Sequence, residues 1–118
     1  MGYHFVWCPK YRRKVLVGDV ADRLKELVYE RAEMMGCKVI TLEVMPDHVH
    51  LFIQGDPELT PNKIIGKIKG YTSHELRREF KELTTRLPTL WTWRYFISTH
   101  GHVLDKTIQK YIEEQKGV

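Results

Sequence analysis

With 118 residues, 42% of them hydrophobic and 29% charged, the chain has the make-up of one globular domain spanning residues 1–118. That size needs no disulfide or metal to fold, and no apolar run is long enough to span a membrane. The net charge of +4 fits a nucleic-acid partner without proving one.

The start, Met1-Gly2-Tyr3-His4-Phe5, lacks a basic-then-apolar signal region, and Val6 stands where a myristoylation site needs Ser or Thr. Cys8 and Cys37 are the only cysteines and read as reduced core residues. A cytoplasmic protein is expected.

In chain order, the first strand reads Tyr3 to Cys8 and is stopped by Pro9. A basic loop, Lys10-Tyr11-Arg12-Arg13-Lys14, follows. Asp19 then caps a helix whose apolar stripe is Val20, Leu24, Leu27, Val28 and Ala32, and Gly36 ends it. The second strand, Lys38 to Met45, alternates with Ile40, Leu42 and Val44 on one side and Thr41 and Glu43 on the other. Pro46-Asp47 makes a turn into a third strand, so these two strands form a hairpin. Thr60-Pro61 opens a second helix with the stripe Ile64, Ile65, Ile68, Thr72, Leu76 and Phe80. Gly66 and Gly70 weaken it and leave room for a backbone or a phosphate to come close. Leu83 to Thr92 reads as a loop, Arg94 to His100 as a fourth strand broken by Gly101, and Asp105 caps a last helix to about Gln115. Strand, helix, strand, strand, helix, strand is a ferredoxin-like split βαβ unit of the α+β class, here with an extra C-terminal helix. Its two main helices cover one face of the antiparallel sheet. The other face must be covered by the last helix or by a second subunit.

The third strand carries the chemistry. In His48-Val49-His50 the two imidazoles share a face, roughly 7 Å apart, because side chains alternate along a strand. Such a pair can hold one metal ion, while Val49, Leu51 and Ile53 point into the core. As polar residues on a half-exposed strand they would equally need no special role. In the last helix, Tyr111 and Gln115 are four apart and share a face. Alone, Tyr111 reads as a packing residue. Together with the histidines it suggests phosphodiester chemistry: a phenol to attack phosphorus and a metal to draw charge off a non-bridging oxygen. His48 and His50 would supply two ligands and Gln115 an amide oxygen, a donor set that suits Mg²⁺ or Mn²⁺.

Three stretches resemble a known family: Phe5-Val6-Trp7-Cys8-Pro9-Lys10-Tyr11-Arg12-Arg13; Met45-Pro46-Asp47-His48-Val49-His50-Leu51; and Tyr95-Phe96-Ile97-Ser98 through Gly101-His102-Val103 to Tyr111-Ile112-Glu113-Glu114-Gln115. In the same order, over nearly the whole chain, they are similar to TnpA-type transposases. These are the single-tyrosine HUH enzymes of small insertion sequences lacking terminal inverted repeats. The resemblance implies single-stranded hairpin DNA as ligand, a required divalent cation, Tyr111 as nucleophile, a 5′-phosphotyrosine intermediate, and His48, His50 and Gln115 as ligands. It also implies a homodimer whose C-terminal helices exchange, so that one subunit's tyrosine completes the other's histidine pair. Members often carry a few more residues before the first strand.

Arg12, Arg13, Lys63, Lys67 and Lys69 are the candidate phosphate contacts, which place DNA without reading its sequence. Trp91, Trp93 and Tyr95 are either core residues or stacking surfaces for unpaired bases. His4, alternating against Phe5, is expected on the core side of the sheet in a structural role. His74 should be exposed, and His100 and His102 either support the site or serve no role in it. Two other readings stay open: a passive RNA- or single-strand-binding ferredoxin-like module, and a metal-dependent nuclease that uses water.

Overall fold

The computed structural model describes residues 2–99, 103–115 and 117–118. Strand β1 (Gly2–Trp7) is followed by helix α1 (Gly18–Met34), then by strands β2 (Lys38–Met45) and β3 (His48–Gln54). Helix α2 (Pro61–Glu79), a short helix α3 (Glu82–Arg86), strand β4 (Phe96–Ser98) and helix α4 (Asp105–Glu114) complete the order. The four strands form one antiparallel sheet in the order β2-β3-β1-β4. This is the ferredoxin-like α+β arrangement expected from the element order.

Period-two alternation decides which face is the core. Tyr3, Phe5 and Trp7 of β1 and Val49, Leu51 and Ile53 of β3 point to the side covered by α1 and α2. The helices answer with Val20, Leu24, Leu27, Val28 and Ala32, and with Ile64, Ile65, Ile68, Thr72 and Leu76. Each fully buried large apolar side chain contributes about 1.5–3 kcal/mol, so this face holds the domain together. Thr60 caps α2 by accepting the Lys63 N–H at 3.3 Å, with Pro61 in the first turn. α1 starts two residues earlier than expected: Val17, not Asp19, is the cap residue, Gly18 takes φ +57, and Asp19 lies inside the first turn, its charge facing the helix dipole.

Several expectations are corrected. In β2 the register shifts between Val39 and Thr41, so Ile40 is the extra residue and is 38% exposed. Val39, Leu42 and Val44, rather than Ile40, Leu42 and Val44, pack on the core. The stretch Leu83 to Thr92 begins inside α3, where burial of Leu83 outweighs the low helix propensity of Thr84 and Thr85, and Leu87 and Leu90 beyond the helix are buried as well. β4 is only Phe96–Ser98, since Trp91 to Tyr95 is tied down elsewhere. A Cβ at Gly66 or Gly70 would meet nothing within 4 Å, so among the described residues no backbone uses the room these glycines leave.

The second face of the sheet is half covered by α4. Val6, Cys8 and Ile112 are buried together, with Phe96, Ile108 and Tyr111 packed around them. On the far side Thr41, Glu43 and Met45, cross-strand partners of Phe52, His50 and His48, stay exposed. Among the described residues no helix is long and apolar enough to cross a membrane.

Candidate functional site

The hairpin register sets the site. Met45 pairs with His48 and Val44 with Val49, which puts both histidines on the face away from α1 and α2. His50 lies across from Val6 of β1, and Val6 packs against Ile112 of α4. Thus α4, carrying Tyr111 and Gln115, lies on the histidine face.

His48 is oriented from behind. Its Nδ1 sits 2.9 Å from Asp47 Oδ1, and the other carboxylate oxygen meets Arg12 Nε at 3.5 Å. With Nδ1 held by a carboxylate, Nε2 is the nitrogen left to bind an ion. Arg12 also donates to the Ile112 carbonyl at 3.3 Å, in the last turn of α4, where a cation complements the helix dipole. One guanidinium therefore connects the tyrosine helix to the carboxylate that aims His48. The backbone is bent to allow it: Tyr11 and Arg12 have φ of +59 and +52, conformations that cost non-glycine residues about 1–3 kcal/mol each.

His50 is gripped by a residue expected elsewhere. His4 does not face the core side. It alternates opposite Phe5 onto the histidine face, where its Nδ1 lies 3.2 Å from His50 Nε2. Its ring stacks flat on Phe52, centroids 4.1 Å apart and planes 4° apart. Burial, then the neighbouring His4, pushes the His50 pKa down, which favours the neutral imidazole that a metal requires.

At the C-cap of α4, Gln115 is only 2% exposed; its Nε2 donates to the Tyr111 carbonyl at 3.1 Å, while its buried Oε1 has no partner among the described residues. The Tyr111 hydroxyl is likewise buried and without a partner among the described residues, its ring 5.8 Å from that of Phe96. Burial, then the nearby Cys8, raises its pKa, so it rests as a neutral phenol. Both residues line an open groove of about 410 Å³, shared with Trp93, Arg94, Tyr95 and Glu114. Cys8 beneath them is pushed up to about 12 by burial and then by Asp47, so its thiol is inert. Among the described residues no three His, Cys, Asp or Glu side chains come together as a metal cage.

The other candidates divide. Arg13, Lys63, Lys67 and His74 are exposed. Lys69 is withdrawn from the phosphate-facing set: its Nζ donates to the carbonyls of Thr92 at 2.7 Å and Arg94 at 3.2 Å. Trp91 is core, its Nε1 donating to Thr72 Oγ1 at 3.0 Å and its ring edge-on to Trp7. Trp93 is 76% exposed. Tyr95 is half-buried and bonds Asn62 through its hydroxyl. His100 and His102 lie outside the described residues. Sequence reading missed the orienting roles of His4, Asp47 and Arg12. The one available signal was the carboxylate directly before His48.

A family model described as "Transposase IS200 like" matches residues 1–115. The ISDra2 transposase TnpA of Deinococcus radiodurans is 41% identical over 115 residues, covering 96% of this chain and 82% of its own. The transposase for insertion sequence element IS200 of Salmonella typhimurium is 28% identical, covering 96% of this chain and 75% of its own. A crystal structure of a transposase candidate from Deinococcus radiodurans R1 superposes with a TM-score of 0.91 at 34% identity, over 100% of this chain and 92% of that one. A REP-associated tyrosine transposase, solved bound to a REP hairpin, superposes with a TM-score of 0.62 at 15% identity. It covers 95% of this chain and 62% of that one, a likeness of fold alone.

Proposed function

The chain belongs to the IS200-like transposase family, and from that premise we propose that it nicks and rejoins single-stranded DNA at hairpin ends through Tyr111. The observation that carries this reading is the packing of α4 on the histidine face, which sets Tyr111 and Gln115 on the same side of the sheet as His48 and His50. Support for a hairpin ligand comes from the hairpin-bound transposase of the same fold.

The donor set fits a divalent ion. Two imidazoles, one held by a carboxylate and one kept neutral, stand with a buried amide oxygen that has no other partner among the described residues. In this reading His48, His50 and Gln115 hold Mg²⁺ or Mn²⁺. When bound, the ion supplies charge neutralisation at a non-bridging phosphate oxygen.

The chain's own residues do the rest. The Tyr111 oxygen attacks phosphorus, the bond from phosphorus to the 3′-oxygen breaks, and the phenol's proton is matched by the one the leaving 3′-oxygen takes up. The strand is then held as a 5′-phosphotyrosine. Attack of a 3′-hydroxyl on that linkage reverses the step and returns the phenol, so joining needs no ATP. Because the resting phenol is shielded and protonated, α4 must shift before attack. Arg13, Lys63 and Lys67, all exposed, are the phosphate contacts of this reading. The chain works in the cytoplasm as a homodimer with the site shared between subunits. Exchange of α4 would preserve the contacts of Ile112 with Val6 and Cys8, since the partner's helix presents the same residues.

The test is incubation of a labelled hairpin with single-stranded flanks and Mn²⁺, followed by a denaturing gel. A protein-linked strand is expected with the wild-type chain and none with Tyr111→Phe, which should still bind. Cut product without a linked strand would mean a water-using nuclease, and binding without cutting a passive module.

A further inference from the structure

We propose that Trp93 is a stacking platform for an unpaired nucleobase of the DNA strand that reaches Tyr111. The inference rests on the strand-cutting reading above and adds to it a place for a base.

An indole 76% exposed buries little of its apolar area, which is unusual for the most hydrophobic of the large side chains. The backbone beneath it is held firmly. Lys69 Nζ bonds the carbonyls on both sides of Trp93, those of Thr92 and Arg94. The Thr92 N–H donates to the Cys8 carbonyl at 3.1 Å, and the Lys10 N–H to the Leu90 carbonyl at 2.8 Å. Burial lowers Lys69 to about 8, so its ammonium is held there against a desolvation cost. An exposed ring on an anchored loop is a rigid surface that loses little entropy on binding.

The occupant follows from the surroundings. Trp93 borders the same groove as Tyr111 and Gln115. The Arg94 guanidinium lies over one face of the indole, 5.2 Å from its centroid, which leaves the opposite face for a base and keeps a positive charge near that base's phosphate. Glu114 also lines the groove and can accept a hydrogen bond from a ring N–H of a base such as thymine. A flat neutral ring with a flanking anion matches this set; an aliphatic or acidic ligand does not.

The experiment compares binding of labelled oligothymidine with that of an abasic strand of equal length, which keeps the phosphates and lacks the bases. The wild-type chain should prefer oligothymidine by about ten-fold, the scale of one stacked base. Trp93→Ala should erase that preference while leaving abasic affinity unchanged, and Trp93→Phe should recover most of it. Duplex DNA, whose bases are already stacked, should show no dependence on Trp93. An undiminished preference in Trp93→Ala overturns the proposal, as does an equal loss on both strands. A change in self-association without a change in preference would assign the ring to contact between copies and also overturn it. Adduct formation is scored separately: no adduct from the wild-type chain removes the strand-cutting reading, whereas an adduct with an unchanged preference in Trp93→Ala removes the platform alone.

Discussion

Asp47 serves two neighbours with one carboxylate, holding His48 on one oxygen and Arg12 on the other. Removing an orienting carboxylate of this kind typically lowers metal affinity about 10–100-fold. Asp47→Ala should therefore weaken Mn²⁺ binding by that range, measured by calorimetry. Unchanged affinity would mean that His48 needs no such support. Lys69 makes a prediction about pH. Its pKa falls from an ordinary lysine's 10.5 to about 8 because burial disfavours the ammonium. Below pH 8 both the folded and the unfolded chain carry the charge, and the burial cost stands in full. Between about pH 8 and pH 10.5 the unfolded chain holds a proton there that the folded chain has lost, so folding gains as pH rises. In urea titrations the wild-type chain should gain stability relative to Lys69→Met across that window. A constant difference between the two would show that Lys69 does not titrate with folding.

The elements are held very unequally. α2 buries Ile64, Ile65, Ile68, Thr72 and Leu76, whereas α4 fully buries only Ile112 along its length. Buried apolar area sets how readily a segment opens, so α4 should be the loosest of the three long helices. Hydrogen exchange should release its amides well before those of α1 and α2, and equal protection would contradict this. The same inequality separates two substitutions. Leu51→Ala, in the central strand pair, should cost about 2–5 kcal/mol of global stability. Ile112→Ala should cost less global stability than Leu51→Ala, because α4 can open locally, yet lower adduct yield sharply by undocking the tyrosine helix. The strands carry a parallel lesson. The extra residue Ile40 is absorbed before the hairpin, which leaves Met45 opposite His48. A one-residue slip there would turn both histidines into the core.

At the scale of the whole molecule, the helix-covered face is finished and the histidine face is not. α4 shelters Val6 and Cys8, while Thr41, Glu43 and Met45 stay exposed on the β2 side. A second copy is the partner proposed to cover this face, and mixing two inactive variants tests it. Tyr111→Phe lacks the nucleophile and His48→Ala lacks a ligand. Combined, they should regain part of the adduct yield, because one subunit of each mixed dimer then offers an intact tyrosine to an intact histidine pair. No recovery would mean that each chain completes its own site with α4 folded back as it is here.

Periodicity alone carried the element order, the ferredoxin-like sheet and the sidedness of His48 and His50, because which face a strand residue occupies follows from counting by two along the chain. The stripe of α2 was legible for the same reason, its spacing being that of a helix. Contacts across long sequence separations were not. That His4 meets His50 depends on β1 pairing with β3, and that Arg12 spans Asp47 and Ile112 depends on where α4 docks. The bulge at Ile40 and the burial of Leu83, Leu87 and Leu90 were equally hidden, since local propensity yields to packing against partners that only the folded chain brings near. Residue spacing thus named the chemistry, and tertiary packing decided which side chains aim it.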